Sequence, residues 1–257
     1  VRLVGSDMCI RDRFWWNETD IQKNQVLHYD KSDNFWEMGE VGPCGSCSEL
    51  HIDLGEGTCP LSGQHECAVN VEGCWRFVEL WNLVFMQYQR FPDQHLEPLP
   101  AQHVDTGMGL ERICRVLQQV DSNYSTDLFV PILGKISEVT GTEDIEGEIG
   151  VAYRVIADHL RSLSFAIADG AIPSNEGRGY VLRRMLRRAT RFGRVLEMEK
   201  PFIHQLVGTL SEVMGEAFPE LPAQQKHIEK VIESEESSFG QTLDRGLEIF
   251  EQMASSS

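Results

Sequence analysis

HVDTGMGLERI, residues 103–113, joins an extended segment to a helix through two glycines. The acid Asp105 stands near the end of the extended part, Gly107 and Gly109 follow, and a helical pattern begins at Leu110. Glycine lets a backbone approach a ligand closely, and the unpaired N–H groups at a helix start favour an anion. Arg112 falls on the first helical turn, where its planar fork suits a phosphate. Asp105 and Arg112 can then face the two ends of a zwitterionic or mixed-charge ligand. A plain strand-to-helix turn with an exposed acid and base is the alternative at this point.

Upstream, RFVELWNLVFMQYQR (76–90) is dense in β-branched and aromatic residues and reads as a buried strand, although periodicity alone does not exclude a helix. FPDQHLEPLP (91–100), with three Pro, reads as turn chemistry. Residues 14–75, rich in Gly, Asp, Cys and Pro, read as loops and short strands. Downstream the period becomes helical. Leu110, Ile113 and Leu117 share a face, Thr126 is a candidate cap for a helix running to Gly141, and 141–150 reads as an acidic loop. Residues 151–170 read as a helix closed by Gly170, and IPSNEGRG (172–179) as a loop. YVLRRMLRRATRFG reads as a short basic helix ending at Gly193, and Pro201 suits the first turn of the next. From about Pro222, the residues Ile228, Ile232, Phe239, Leu243, Leu247 and Phe250 form one apolar stripe of a long helix. A strand-rich front and an all-helical back predict an α+β chain of two domains, 14–120 and 121–257. Residues 1–13, VRLVGSDMCIRDR, show no period, are expected to be a non-native leader, and are set aside.

The net charge of −17 argues against a nucleic-acid partner when taken as an average. The average hides a local exception, because Arg178–Arg194 holds seven Arg and no acid. Such a stripe on an acidic body suits phosphates; a solvated basic helix is the other reading. No apolar run approaches a membrane span, and no targeting signal is visible, so no membrane partner is expected. Seven Cys without a secretion signal point to reduced thiols or metal ligands rather than disulfides. Cys59, His65, Cys67 and Cys74 lie within sixteen residues, and two readings stay open: a Zn2+ site of three thiolates and one imidazole, or unliganded thiols. Cys44 and Cys47 form a CxxC in a Gly/Pro turn without a clear following helix, which speaks against a redox pair.

VDTGMGLERI resembles the third signature motif of class II aminoacyl-tRNA synthetases, in the form used by alanyl-tRNA synthetases. SDNFWEMGEVGPCGSCSEL (32–50), FVELWNLVFMQYQR (77–90) and RVIADHLRSLSFAIADGAIPSNEGRGYVLRRMLRRATRFG (154–193) resemble the same family in order and spacing, so the likeness covers about 32–255. It implies a partial antiparallel class II sheet followed by a truncated helical domain that holds the tRNA(Ala) acceptor stem. The first two class II motifs and the editing motif are not found, so the chain alone is expected to form no adenylate and, with half a sheet, to dissolve poorly.

The resemblance implies roles at matching positions. Asp105 binds the α-ammonium of L-alanine and Asn82 its polar end, while Trp36, Val84 and Gly107 wall a methyl-sized pocket. Gly109 and Arg112 hold ATP, and Glu79 helps place Mg2+. Asn175 reads the acceptor-stem minor groove, and Arg184, Arg187 and Arg191, with Arg194 on the same side, hold phosphates. Asp158 and His159 are assigned no role. The activity implied is alanine–tRNA ligation in the cytoplasm. A noncatalytic RNA-binding relative would not need Asp105, Gly107, Gly109 and Arg112 together, a DNA-binding helical module would not explain Trp36 and Asn82, and so no DNA partner is expected. A free-standing editing protein would need an HxxxH-type metal motif, which the sequence lacks.

Overall fold

Two long runs of β-formers make the front of the chain a sheet, and helical stripes make the rest a bundle. The computed structural model describes residues 2–5, 9–61, 63, 66–142 and 146–255. The chain divides into two compact units, Val1–Gln119 and Val120–Ser257, and is α+β.

The first unit holds β1 (Arg2–Gly5), α1 (Cys9–Glu18), β2 (Val26–His28), β3 (Phe35–Glu37), β4 (Gly42–Asp53), β5 (Phe77–Arg90), β6 (Leu96–Met108) and α2 (Leu110–Leu117). The strands lie in the order β2-β1-β4-β5-β6, with β3 also on β4. All pairings are antiparallel except β1 with β2, which is parallel. Although residues 1–13 are expected to be a non-native leader, Arg2–Gly5 pairs with His51–Ser48 and covers that side of β4. Residues 14–75 are also more regular than expected, since β4 runs for twelve residues.

The expected turn at 91–100 is shorter than its Pro content suggested. It closes by Phe91, which exchanges backbone bonds with Gln94 and His95, and Leu96 already opens β6. Pro98 and Pro100 are tolerated because β6 is the last strand of the sheet, where a missing N–H breaks no outer ladder. The expected burial is also only partial: of β5, Phe77 and Val84 alone are buried, and on β6 Val104 and Met108 are exposed.

The second unit holds α3 (Val130–Thr140), α4 (Gly147–Ala168), α5 (Gly177–Val195), α6 (Val207–Met214) and α7 (Glu220–Ser255). Ile156, Leu160, Leu163 and Ile167 form the buried stripe of α4 and meet Leu186 and Ala189 of α5 and Ile228 and Ile232 of α7. Each buried Ile or Leu among them contributes about 1.5–3 kcal/mol. As expected, Gly141 caps α3 with φ 73°. Gly170, φ 84°, ends α4 in a Schellman arrangement, its N–H bonded to Ile167 and that of Ala171 to Ala166.

Several boundaries differ from the sequence reading. Thr126 is buried and does not cap α3; its carbonyl accepts from Phe129 and Val130, and Phe129 is the N-cap. The acidic segment already turns helical at Gly147. α5 starts at Gly177, inside the expected loop, and runs past Gly193. Gly193 is small for packing rather than for stopping, since a Cβ there would lie 2.7 Å from Cε1 of Phe202. Pro201 precedes a 3-10 turn, Ile203–Leu206, rather than opening an α-helix. The apolar stripe of α7 is covered only in part: Ile228 and Ile232 are buried, but Phe250 is exposed, as are neighbouring Ile249 and Met253.

Candidate functional site

The pairing of β5 with β6 sets Asn82 opposite Gly107 and Val84 opposite Asp105. Directly paired residues share a face, and so do residues two apart on one strand. All four therefore lie on one side of the sheet. On the other flank β4 sets Glu49 opposite Asn82 and Cys47 opposite Val84. Trp36 pairs with Gly45, two residues before Cys47, at the end of the same stretch of β4. Arg90 holds Glu37, next to Trp36, through both of its terminal nitrogens.

Glu79 is three residues from Asn82, and strict alternation would put it on the far face. A β-bulge prevents this. His51 pairs with Glu79 and Leu50 with Trp81, so Leu80 is the extra residue of β5. Glu79 thereby shares the face of His51, Glu49 and Asn82. A second irregularity lies between Cys44 and Cys47. There Gly45 is required, because a Cβ would sit 1.8 Å from the Phe85 carbonyl oxygen.

The face is polar and acidic. His51 Nε2 lies 3.0 Å from Glu49 Oε2, and Asn82 Nδ2 donates to Glu49 Oε1 at 3.4 Å. Asn82 Oδ1 is buried with no hydrogen-bond partner among the described residues. Both side-chain polar atoms of Asn34 are in the same position. Such a buried acceptor costs about 1–3 kcal/mol unless a donor meets it. Burial, and then the Glu49 carboxylate, push the Cys47 thiol up to about 11 and keep it neutral near pH 7. Asp105 is exposed, and its Oδ1 accepts from the Thr106 amide at 2.8 Å.

Gly109 is the N-cap of α2, and its N–H bonds to the Leu80 carbonyl, so the bulge also seats the helix start. Arg112 donates from Nη1 to the Glu79 carbonyl at 2.9 Å and to Glu79 Oε2 at 2.8 Å. Both side chains are partly exposed, at 46% and 34%.

In the second unit Asn175 lies in an exposed turn before α5. Ser174 ties the turn together, its N–H donating to Gly179 O and its hydroxyl to Glu176 O. Asn175 Oδ1 accepts from Arg183. The basic stripe of α5 is divided. Glu235 of α7 takes Arg183 at 2.9 Å and Arg187 at 3.3 Å, and Asp244 holds Arg194 at 2.5 Å. Arg184, Arg188 and Arg191 are exposed, and Arg188 and Arg191 line a groove with Val151, Phe192 and Val195. Asp158, beside His159, is held below the usual carboxylate range, first by that imidazole.

In the segment before β5 the sulfurs of Cys59, Cys67 and Cys74 lie within 4.8 Å of one another. His65, the fourth member of that sequence set, lies outside the described residues.

The sequence reading missed Glu49, Asn34, His51, Glu235 and Asp244. The first and third become visible once 42–53 is read as a strand, where Cys47, Glu49 and His51 alternate onto one face. The two α7 acids carry no local signal, because their partners are some fifty residues away.

A family model for tRNA synthetases of class II (A) matches residues 7–257. The chain is 54% identical over 245 residues to an alanine–tRNA ligase of Chlorobium luteolum, covering 94% of this chain and 27% of that protein. It is 51% identical to one from Christiangramia forsetii, over 91% of this chain and 27% of that protein. It is 48% identical to one from Salinibacter ruber, over 93% and 26%. The chain thus spans about a quarter of the length of these relatives.

Proposed function

The chain belongs to the class II (A) tRNA synthetases, and from that premise we propose that it carries part of the alanine-activating site and the acceptor-stem helices of an alanine–tRNA ligase. One observation carries this reading: the β5–β6 register, which gathers Asn82, Val84, Asp105 and Gly107 on one face. The α-ammonium of alanine sits between the Asp105 carboxylate and Asn82 Oδ1, so the buried acceptor gains its donor. The methyl group lies against Val84 and Trp36, with space left by the missing Cβ of Gly107, around which a Cβ would meet nothing within 4 Å. The acids Glu49 and Glu79 add to the field that favours a cation there.

Arg112, at the start of α2, takes the polyphosphate of ATP. Glu79 engages Arg112 through Oε2, and its second oxygen is a donor of the type Mg2+ accepts. A Mg2+ ion held by Glu79 would offset polyphosphate charge. The alanine carboxylate attacks the α-phosphorus and pyrophosphate leaves. The terminal ribose hydroxyl of tRNA(Ala) then attacks the alanyl carbonyl and AMP leaves. The protein's part is positioning and charge stabilisation. Arg184, Arg188 and Arg191 face the acceptor-stem backbone, and Asn175 its minor groove. This chemistry belongs in the cytoplasm; no described helix is long and apolar enough to cross a membrane.

The test is alanine-dependent ATP–pyrophosphate exchange, measured on this chain joined to the N-terminal part of a relative and on its Asp105→Ala variant. Exchange that needs alanine and vanishes with Asp105 supports the reading. Acceptor-stem RNA bound without any exchange replaces it with a noncatalytic RNA-binding role. The unjoined chain is expected to give no exchange.

A further inference from the structure

We propose that Cys59, Cys67 and Cys74 form a thiolate site for a Zn2+-class ion that pins the long connection between β4 and β5. Zinc bound at about 2.3 Å by each sulfur spaces tetrahedral thiolates about 3.8 Å apart. The three sulfurs here already lie within 4.8 Å of one another, so side-chain rotation closes the site. Cys59 is almost fully buried, and none of the three is in a disulfide.

Two backbone donors and a glycine turn shape the surroundings of Cys59 and Cys74. The Leu61 and Trp75 amides face the Cys59 sulfur. Gly73, at φ 75°, turns the chain so that Cys74 comes back toward Cys59, and a Cβ there would lie 2.9 Å from Leu61 Cδ1. Each thiol that binds gives its proton to solvent, so binding strengthens as pH rises.

The segment also needs a staple. Its described residues between Asp53 and Phe77 form neither helix nor strand. Its apolar support is small: Val69 and Phe77 are buried, with Leu27, Tyr29, Cys67 and Cys74 against them. The base is closed by Arg76, which donates to both oxygens of Asp53 at 2.6 and 2.8 Å. A connection of this length without structure of its own is uncommon in a compact unit unless something holds it. Soft thiolates select zinc over the Mg2+ of the pocket. His65 lies outside the described residues, and the proposal is for the three thiolates. It stands apart from the ligase reading, and either can fail alone.

The test uses the purified, reduced chain. Added Co2+ is expected to give a thiolate-to-cobalt charge-transfer band and intense tetrahedral d–d bands. Zn2+ is expected to bind at one per chain and to protect three thiols from a thiol reagent until a chelator is added. Cys67→Ser and Cys74→Ser should lose the band, and Cys114→Ser should keep it. A folded chain, judged by circular dichroism, that shows no thiolate band overturns the site. So does a disulfide among these cysteines under the same reducing conditions. The unmodified chain alone decides this, even where a variant fails to fold.

Discussion

Arg112 donates from one nitrogen, Nη1, to both the carbonyl and the carboxylate of Glu79, at 2.9 and 2.8 Å. The contact ties the first turn of α2 to β5. It depends on the bulge at Leu80, which turns Glu79 toward the Asn82 face and also presents the carbonyl that receives the Gly109 amide. One extra residue in a strand thus positions both the helix start and the arginine upon it.

Glu79→Gln keeps the carbonyl contact and removes the charge. The pair is partly exposed, so its electrostatic part is worth about 0.2–1 kcal/mol, or at most roughly a fivefold rise in the KM for ATP. Exchange kinetics on the joined protein should show this, with a smaller rise in the KM for alanine as the field at its ammonium weakens. A fall in kcat beyond tenfold would show that the Mg2+ role of Glu79 in adenylyl transfer outweighs its hold on Arg112.

Gly45→Ala places a methyl group 1.8 Å from the Phe85 carbonyl oxygen, which is backbone and cannot move aside cheaply. The β4–β5 ladder should weaken by about 1–3 kcal/mol. Thermal unfolding of the first unit at lower temperature checks this; an unchanged melting curve would mean that β5 yields there.

The divided stripe on α5 predicts unequal arginines. Arg184→Ala, Arg188→Ala and Arg191→Ala should each weaken acceptor-stem RNA binding and lower its salt slope by about 1. Arg187→Ala and Arg194→Ala should change the slope less, because Glu235 and Asp244 already hold those guanidinium groups. Equal slopes across all five variants would contradict the division.

Glu236 is buried on α7 and accepts the Phe202 and Ile203 amides at 3.2 and 3.1 Å. Burial raises its carboxyl from 4.5 to about 7 despite those donors. A raised carboxyl pKa means that the folded chain binds the proton more tightly than the unfolded chain. Its contribution is therefore complete below about pH 4.5 and is lost as pH rises to about 7, on the order of 1–3 kcal/mol. Melting temperatures across pH 5–8 should show the decline, and Glu236→Gln should flatten it.

Much of the architecture is legible in local pattern. The 77–90 run reads as a strand because β-branched and aromatic residues crowd it, and α4 reads as a helix because Val155, Leu163 and Ala166 stand at helical spacing, although the stripe that the fold buries is Ile156, Leu160, Leu163 and Ile167. Gly141 and Gly170 end helices where a left-handed residue is needed. The strand–glycine–helix order of 103–113 already marks Asp105 and Arg112 as candidate ligand groups, since charge, glycine freedom and a helix start are all local properties.

Tertiary structure decides what depends on distant partners. Pro98 and Pro100 look like turn residues until β6 proves to be an edge strand. Gly193 looks like a helix stop until Phe202 packs on it. Glu79 shares the Asn82 face only through a bulge, whose position is set by pairing with β4 and not by the composition of β5. The arginines of α5 are identical in local sequence terms, and only the acids of α7, some fifty residues on, separate the engaged from the exposed. The chain's own order therefore determines the elements and the chemistry they carry, because propensity and periodicity act over a few residues. Register, strand edges and ion pairs fall to the fold, because they are contacts between segments that sequence spacing does not bring together.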